Sequence, residues 1–204
     1  MQKAQPDDVQ AVHLYTLVED WDSLSDWTAT FAIDREGSYI LLSAGLLGML
    51  DAEFRFLDLL RSSLDRIRPI YGIGFVQRRD QGPDFYTVGV SFGTDEGATV
   101  GPEYEEDVAT GRWADGMDEA VYEQGILRDV YPYSLLTARH LRRDIDGRPL
   151  WAWIQEKPQR GQLAPFGDGG DYTLWTVGPE NLASTRRQLA AAGGLYVLDR
   201  ENHL

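Results

Sequence analysis

The side chains best suited to acid–base chemistry in this chain are its three histidines, His13, His140 and His203. They lie far apart in the sequence, and their spacing is not that of metal ligands. His140 is the strongest candidate for an acid–base role, because the arginines at 139, 142 and 143 would hold an anion close to it. The competing interpretation is a histidine on a helix surface that takes no part in chemistry.

Two pairs of aspartates could share a cation, Asp144 with Asp146 and Asp168 with Asp171. Both pairs stand beside glycine, and this composition is typical of turns. The segment 167–171 could also cradle a phosphate, but a phosphate loop precedes a helix and here a strand pattern follows. We therefore predict no metal site and no cofactor.

Nucleophilic catalysis has no support in the sequence either. There is no cysteine, so neither a thiolate nucleophile nor a disulfide framework can form. No Gly-x-Ser-x-Gly segment is present, and no Ser, His and Asp grouping stands out. We predict no catalytic residue, and the sequence leaves open whether the protein is an enzyme.

The elements that would position any site centre on residues 51–93. Apolar residues recur at helical spacing over 51–67, and this pattern predicts a helix that Pro69 ends. The recurring residues are Phe56, Leu57, Leu60, Leu64 and Ile67. Alternating apolar residues then predict strands at 70–77 and 85–92, joined by a polar turn. We expect these two strands to form a hairpin.

One face of this hairpin carries glycines in place of large side chains, at Gly72, Gly74 and Gly89. Such a strip lets another part of the structure approach the backbone closely. Either a packed helix or a bound ligand could fill the space. If the occupant is a ligand, the protein would be a small hydrolytic or small-molecule-processing enzyme, with His140 nearby.

The remaining segments predict an α+β fold in one domain over 1–204, with a ragged terminus at 1–9. The pattern predicts strands at 12–18, 27–33, 38–42, 162–166, 172–177 and 195–198, and helices at 134–144, 149–156 and 179–192. This order favours a largely antiparallel sheet. We expect helices 51–67 and 179–192 on one face of it, and two split βαβ-like halves would fit the order.

The charge is strongly negative and unevenly distributed. The net charge of −14 and the pI near 4.5 oppose binding to nucleic acid and to anionic membranes. Residues 94–119 hold nine acids against one arginine, whereas residues 120–204 hold ten acids and ten bases. The start lacks a signal-peptide pattern, and no run approaches the roughly 20 apolar residues of a membrane span. We predict a cytoplasmic protein with a long acidic loop at 94–119.

The order of several segments resembles bacterial immunity proteins of the type VI secretion setting. The segments are the helix ending near Pro69, 71–75, 84–89, the Leu135-Leu136 helix with Asp146-Gly147, and the 167–171 turn before a strand and the Pro179 helix. This resemblance implies a protein without catalysis of its own that neutralises a toxin by binding it. The 94–119 loop is a departure from the pattern.

We therefore predict a non-enzymatic binding protein whose partner is a basic toxin domain. The acidic loop is the predicted contact surface, because aromatics carry much of the energy of an interface and carboxylates steer a basic partner. The predicted partner-binding residues are Tyr104, Trp113, Glu103, Glu105, Glu106 and Asp107. The alternative for this loop is a solvated segment that aids solubility.

Overall fold

The computed structural model describes residues 11–15, 27–34, 37–44, 52–75 and 119–195. The chain divides into two compact units, residues 1–56 and 57–204. The single domain predicted over 1–204 stays a prediction. The hairpin partner at 85–92, the acidic loop at 94–119 and residues 196–198 lie outside the described residues.

The first unit contains a three-stranded antiparallel sheet. Its strands are β1 (Ala11–Tyr15), β2 (Trp27–Asp34) and β3 (Gly37–Ala44), with β2 in the centre. β2 pairs Ala32 with Ala11 of β1, and Asp34 with Gly37 of β3. The three strands predicted in this part of the sequence are confirmed, with shifted ends.

The second unit is built on a four-stranded antiparallel sheet. The strands are β4 (Gly72–Gly74), β5 (Tyr133–Thr137), β8 (Gln162–Phe166) and β9 (Tyr172–Thr176), in the order β4-β5-β9-β8. A small ladder joins β6 (Asp144–Ile145) to β7 (Arg148–Pro149). The α+β class and the antiparallel sheet are confirmed. β4 pairs with β5, and its predicted pairing with 85–92 stays a prediction.

Five α-helices accompany these strands among the described residues. They are α1 (Ala52–Ile67), α2 (Glu119–Glu123), α3 (Ala138–Arg142), α4 (Leu150–Gln155) and α5 (Pro179–Ala191). A 3₁₀ turn follows α4 at Pro158–Arg160. The helices predicted at 51–67, 149–156 and 179–192 are confirmed. Pro179 suits the first turn of α5, where its missing N–H leaves no bond unmade.

The central strands carry large apolar side chains on both faces, so both faces need cover. Leu135 of β5 and Leu174 of β9 form one cluster with Leu64, Leu57 and Leu60 of α1. The opposite face forms a second cluster with α4 and α5 (Leu136, Trp175, Leu150, Trp153, Ile154 and Leu189). The helices therefore lie on both sides of the sheet, which differs from the expected shared face for 51–67 and 179–192.

Residues 134–137 were expected to begin a helix at 134–144, and this boundary is wrong. They are the last four residues of β5, and the helix spans only Ala138–Arg142. The physical reason is that Leu135 and Leu136 are adjacent and both buried. Adjacent residues of a strand point to opposite faces, so a strand buries both leucines in a sheet that is covered on two sides.

A buried arginine joins the 3₁₀ turn to α4 and α5. The guanidinium of Arg160 donates to the carbonyl of Trp153 (2.6 Å), to Glu156 Oε2 (2.7 Å) and to Gln188 Oε1 (3.3 Å). It also lies 3.7 Å from the ring centroid of Trp153. The backbone carbonyl of Arg160 accepts a bond from Trp175 Nε1 (2.8 Å). We call this set the Arg160 cluster.

Candidate functional site

The residues predicted to bind a partner lie outside the described part of the chain. They are Tyr104, Trp113, Glu103, Glu105, Glu106 and Asp107. Gly89, the third glycine of the predicted strip, lies outside it as well. Their roles stay predictions. Of the residues considered for chemistry, the described part contains His13 in β1, His140, both aspartate pairs, Gly72 and Gly74.

His140 is the third residue of α3, and its ring bonds the residue before the helix. The backbone N–H of Thr137 lies 3.3 Å from His140 Nδ1, and the Thr137 hydroxyl lies 2.8 Å from the same atom. A backbone N–H can only donate, so Nδ1 must be the acceptor and the ring proton sits on Nε2. The imidazole takes the place that Glu or Gln holds in a capping box.

His140 is fully buried, and the expected helix-surface position is wrong. Burial, together with the positive charges of Arg139 and Arg143, lowers the pKa of His140 to about 4. The side chain is therefore neutral at pH 7. Its Nε2 is buried and has no hydrogen-bond partner among the residues that the structure describes.

Two tyrosines continue the aromatic packing that covers this histidine. The rings of His140 and Tyr71 stack with their centroids 5.3 Å apart, and those of Tyr71 and Tyr122 stack at 5.4 Å. Burial raises the pKa of the Tyr71 phenol far above its usual range. It also raises the pKa of the phenol of Tyr131, a buried tyrosine outside this stack, well above 10. Both phenols keep their protons at neutral pH. We call Tyr71, Tyr122, Thr137 and His140 the His140 cluster.

A short turn fixes α2 against α3 beside this cluster. Gly125 follows α2 with a φ of +76°, and a Cβ there would lie 3.1 Å from the backbone carbon of Arg139 and from the nitrogen of His140. The guanidinium of Arg139 donates to the carbonyl of Glu123. The turn after α2 thus lies against the backbone of α3, and an arginine side chain of α3 reaches the last residue of α2. Glycine gives this approach at little steric cost.

The arrangement leaves His140 unable to act as a general base. Its single ring lone pair is on Nδ1, and Thr137 already occupies that atom. The Nε2–H can only donate, and it is buried. A general base needs a free lone pair within reach of the proton that it removes. The geometry assigns His140 to helix capping and ring packing.

The described glycines lie on the other side of β4 from His140. Gly72 pairs with Leu135 and Gly74 with Tyr133, and a Cβ at either glycine would lie 3.1 Å from the Cβ of its partner. Leu135 and Tyr133 belong to the cluster that contacts α1. Tyr71 packs with the opposite cluster. The described residues therefore do not bring His140 to the glycine face.

An open cleft of about 440 Å³ lies at the end of the sheet where β5 stops. Its lining combines four charged side chains with an aromatic ring, a hydroxyl and apolar groups (Arg68, Pro69, Ile70, Tyr122, Glu123, Thr137, Ala138, Arg139 and Asp171). Tyr122 and Thr137 belong both to this lining and to the His140 cluster. The cleft and the buried histidine thus share two residues.

The aspartate pairs lie at turns. Asp144 Oδ1 accepts the N–H of Gly147 (3.0 Å), and Asp146 has a φ of +55°, which asparagine and aspartate tolerate best after glycine. Asp168 and Asp171 belong to the predicted turn between β8 and β9. Within the described ranges, no group of three or more His, Asp or Glu side chains could hold a metal ion.

The sequence reasoning missed the ring stack and the capping bond. The stack joins residues 71, 122 and 140, which no local pattern connects. The capping bond had a sequence signal, since Thr137 stands three residues before His140, the spacing of a capping box.

No helix in the part of the chain that the structure describes is long and apolar enough to cross a bilayer. Comparisons with protein-family models, curated proteins and solved structures gave no match to this chain.

Proposed function

We propose that this protein is a non-enzymatic binding protein that neutralises a basic toxin domain by direct contact, as an immunity protein of the type VI secretion setting does. The observation that supports it most is the distribution of charge. Residues 94–119 hold nine acids and one base, whereas residues 120–204 are balanced at ten of each. Negative charge concentrated in one stretch steers a basic partner toward that stretch.

The position of His140 adds support. This histidine is the strongest acid–base candidate of the sequence, and its lone pair is engaged by Thr137. The alternative, a small hydrolytic or small-molecule-processing enzyme with its site over the glycine face, therefore has less support. An enzyme using the cleft beside Tyr122 is the form of the alternative that agrees best with the described geometry.

The roles of the proposed contact residues differ in kind. Tyr104 and Trp113 would be anchors, because large aromatic side chains bury much apolar area at little entropic cost. Glu103, Glu105, Glu106 and Asp107 would act at longer range, because carboxylates at the edge of an interface mainly raise the association rate. The aromatics should therefore govern dissociation, and the acids should govern association.

The test measures binding kinetics against the product of any secreted-toxin reading frame beside this gene. Trp113→Ala should speed dissociation and cost about 2 kcal/mol, the size of an interface hot spot. The matched control is Trp151→Ala, because Trp151 is 45% exposed on α4. Equal losses from the two variants, or no binding of the toxin by the unaltered protein, would contradict the proposal.

Charge neutralisation provides the second arm of the same experiment. Changing Glu103, Glu105, Glu106 and Asp107 to their amides should slow association and flatten its dependence on salt, since salt screens exposed charges beyond about 10 Å at 0.1 M. The control changes four exposed acids of the described part (Asp146, Asp168, Asp171 and Glu180). If both sets slow association equally, net charge acts alone and the loop is not the contact surface.

A further inference from the structure

The bonds that hold the first turn of α3 require a neutral imidazole, with no proton on Nδ1. Thr137 directs both its backbone N–H and its hydroxyl at Nδ1 of His140. A second ring proton would have to occupy Nδ1, where it would face the backbone N–H of Thr137. The backbone N–H cannot accept, so protonation of His140 breaks that bond of the cap, and the Thr137 hydroxyl would have to rotate from donor to acceptor.

The described surroundings of His140 offer an imidazolium no negative charge. The charges that act on His140 are Arg139 on α3 and Arg143 directly after it, and both are positive. Tyr71 stacks on the ring from the β4 side, with Tyr122 of α2 behind it. The packed α4 side is apolar, through Leu150, Trp153 and Ile154.

Asp129, the carboxylate that acts on Tyr71, is already engaged. Asp129 acts electrostatically on Tyr71, and its Oδ1 accepts bonds from Arg186 Nε and from the N–H of Val130, each at 2.7 Å. A charged His140 would therefore be buried without an anion among the described residues. A buried charge without a partner is costly enough to drive local opening.

The contacts that depend on this ring belong to one corner of the fold. We define the α2–α3 corner as residues 119–125 and 137–142. The ring stack holds Tyr122, the backbone of Gly125 packs on that of Arg139 and His140, and Arg139 bonds the carbonyl of Glu123. All three contacts depend on the position of the first turn of α3, which the cap at Thr137 holds. Loss of the cap therefore weakens all three.

We propose that the α2–α3 corner is an acid-sensitive latch, closed while His140 is neutral and opened when the ring takes up a proton. Opening separates Tyr122 and Thr137, which line the cleft at the end of β5. The cleft is therefore formed only in the closed state. Whatever binds there, or packs over the corner, should be released in acid.

The direction of the pH dependence follows from the pKa of His140, which the fold lowers from 6.5 to about 4. Between these values the opened state binds a proton and the closed state does not. The latch is thus fully stabilised above pH 6.5, and it loses that stabilisation as the pH falls toward 4. Within this window the ratio of opened to closed molecules should rise up to about tenfold per pH unit.

Hydrogen–deuterium exchange at a series of pH values, corrected for the intrinsic exchange rate, measures this ratio. The reference protein carries His13→Gln and His203→Gln, so that His140 is its only histidine. We expect residues 119–125 and 137–142 to lose protection below about pH 6, before residues 179–191 do. Uniform loss across the corner and residues 179–191, or none down to pH 4.5, would overturn the proposal.

His140→Asn in the same background supplies the decisive comparison. The asparagine oxygen can accept from Thr137 as Nδ1 does, but it takes up no proton in this range. Its corner should open to an extent that does not change with pH between 4.5 and 7. A pH profile like that of the reference protein would assign the opening to other groups and would overturn the latch.

Thr137→Val keeps the experiment decisive if the asparagine variant does not fold. It removes the hydroxyl donor to Nδ1 but retains the backbone N–H and the imidazole. Losing one of the two contacts at Nδ1 weakens the closed state of the cap, so the onset of opening should move to higher pH. An unchanged onset would contradict the proposed role of Nδ1.

Discussion

The Arg160 and His140 clusters of the second unit satisfy their hydrogen bonds to different degrees. In the Arg160 cluster, a carbonyl, a carboxylate and an amide accept from the guanidinium, and an indole ring lies under it. In the His140 cluster, Thr137 occupies one ring nitrogen and the other has no partner among the described residues. Arginine cannot lose its charge, so its burial demands partners, whereas histidine can be buried as a neutral ring.

This difference makes the stability of the two clusters depend on pH in different ways. The Arg160 cluster holds at any pH where Glu156 is ionised, and hydrogen bonds from Arg148 and Arg160 lower the pKa of Glu156. The His140 cluster holds only while the imidazole is neutral. Mutations in the Arg160 cluster should thus lower the free energy of unfolding most. Mutations in the His140 cluster should change how local stability depends on pH in the mildly acidic range.

The largest loss of folding stability is expected for a substitution at Gly161, the residue directly after Arg160. Gly161 has a φ of +95° and a ψ of −165°, a conformation that is essentially restricted to glycine. A Cβ there would lie 2.1 Å from the carbonyl oxygen of Thr176. Gly161→Ala should lower the free energy of unfolding by about 4 kcal/mol, combining backbone strain with overpacking.

Urea denaturation measures that loss, with Gly125→Ala as the counterpart in the His140 cluster. Gly125 also has a positive φ, but its closest contacts from an added Cβ are at 3.1 Å. We expect that variant to lose about 1–2 kcal/mol. A Gly125→Ala loss equal to or larger than that of Gly161→Ala would reverse the ranking of the two clusters.

Removing the arginine itself should cost less than the glycine change. Arg160→Met keeps much of the packing over Trp153 but leaves the carbonyl of Trp153 and the amide of Gln188 without their donor. We expect a loss of about 3 kcal/mol by the same denaturation measurement. Lys157→Met is the control, because Lys157 is exposed, and a loss within 1 kcal/mol of that control would show that the cluster is dispensable.

The sequence predicted elements whose signals are local. Leu57, Leu60 and Leu64 recur at helical spacing, and they pack as one stripe of α1. The turn at 167–171 contains three glycines, and it joins two antiparallel strands as expected. Both features depend on residues within one turn or one hairpin of each other.

The features that the sequence did not predict depend on distant contacts. The strand at residues 134–137 exists because the sheet is covered on both faces, and the sequence around Leu135 and Leu136 does not encode that cover. The burial of His140 depends on Tyr71 and Tyr122, at least 18 positions away in the sequence. The Thr137 spacing alone could have suggested a capping role.

The protonation state of His140 tests the account most directly. The measurement is the two-bond ¹H–¹⁵N correlation spectrum of the imidazole, recorded from pH 7.5 to 4 in the protein with His13→Gln and His203→Gln. We predict a neutral ring with its proton on Nε2 at pH 7 and a protonation midpoint near 4. A proton on Nδ1 at pH 7, or a midpoint at 6.5 or above, would contradict the assignment of His140 as the acceptor that caps α3.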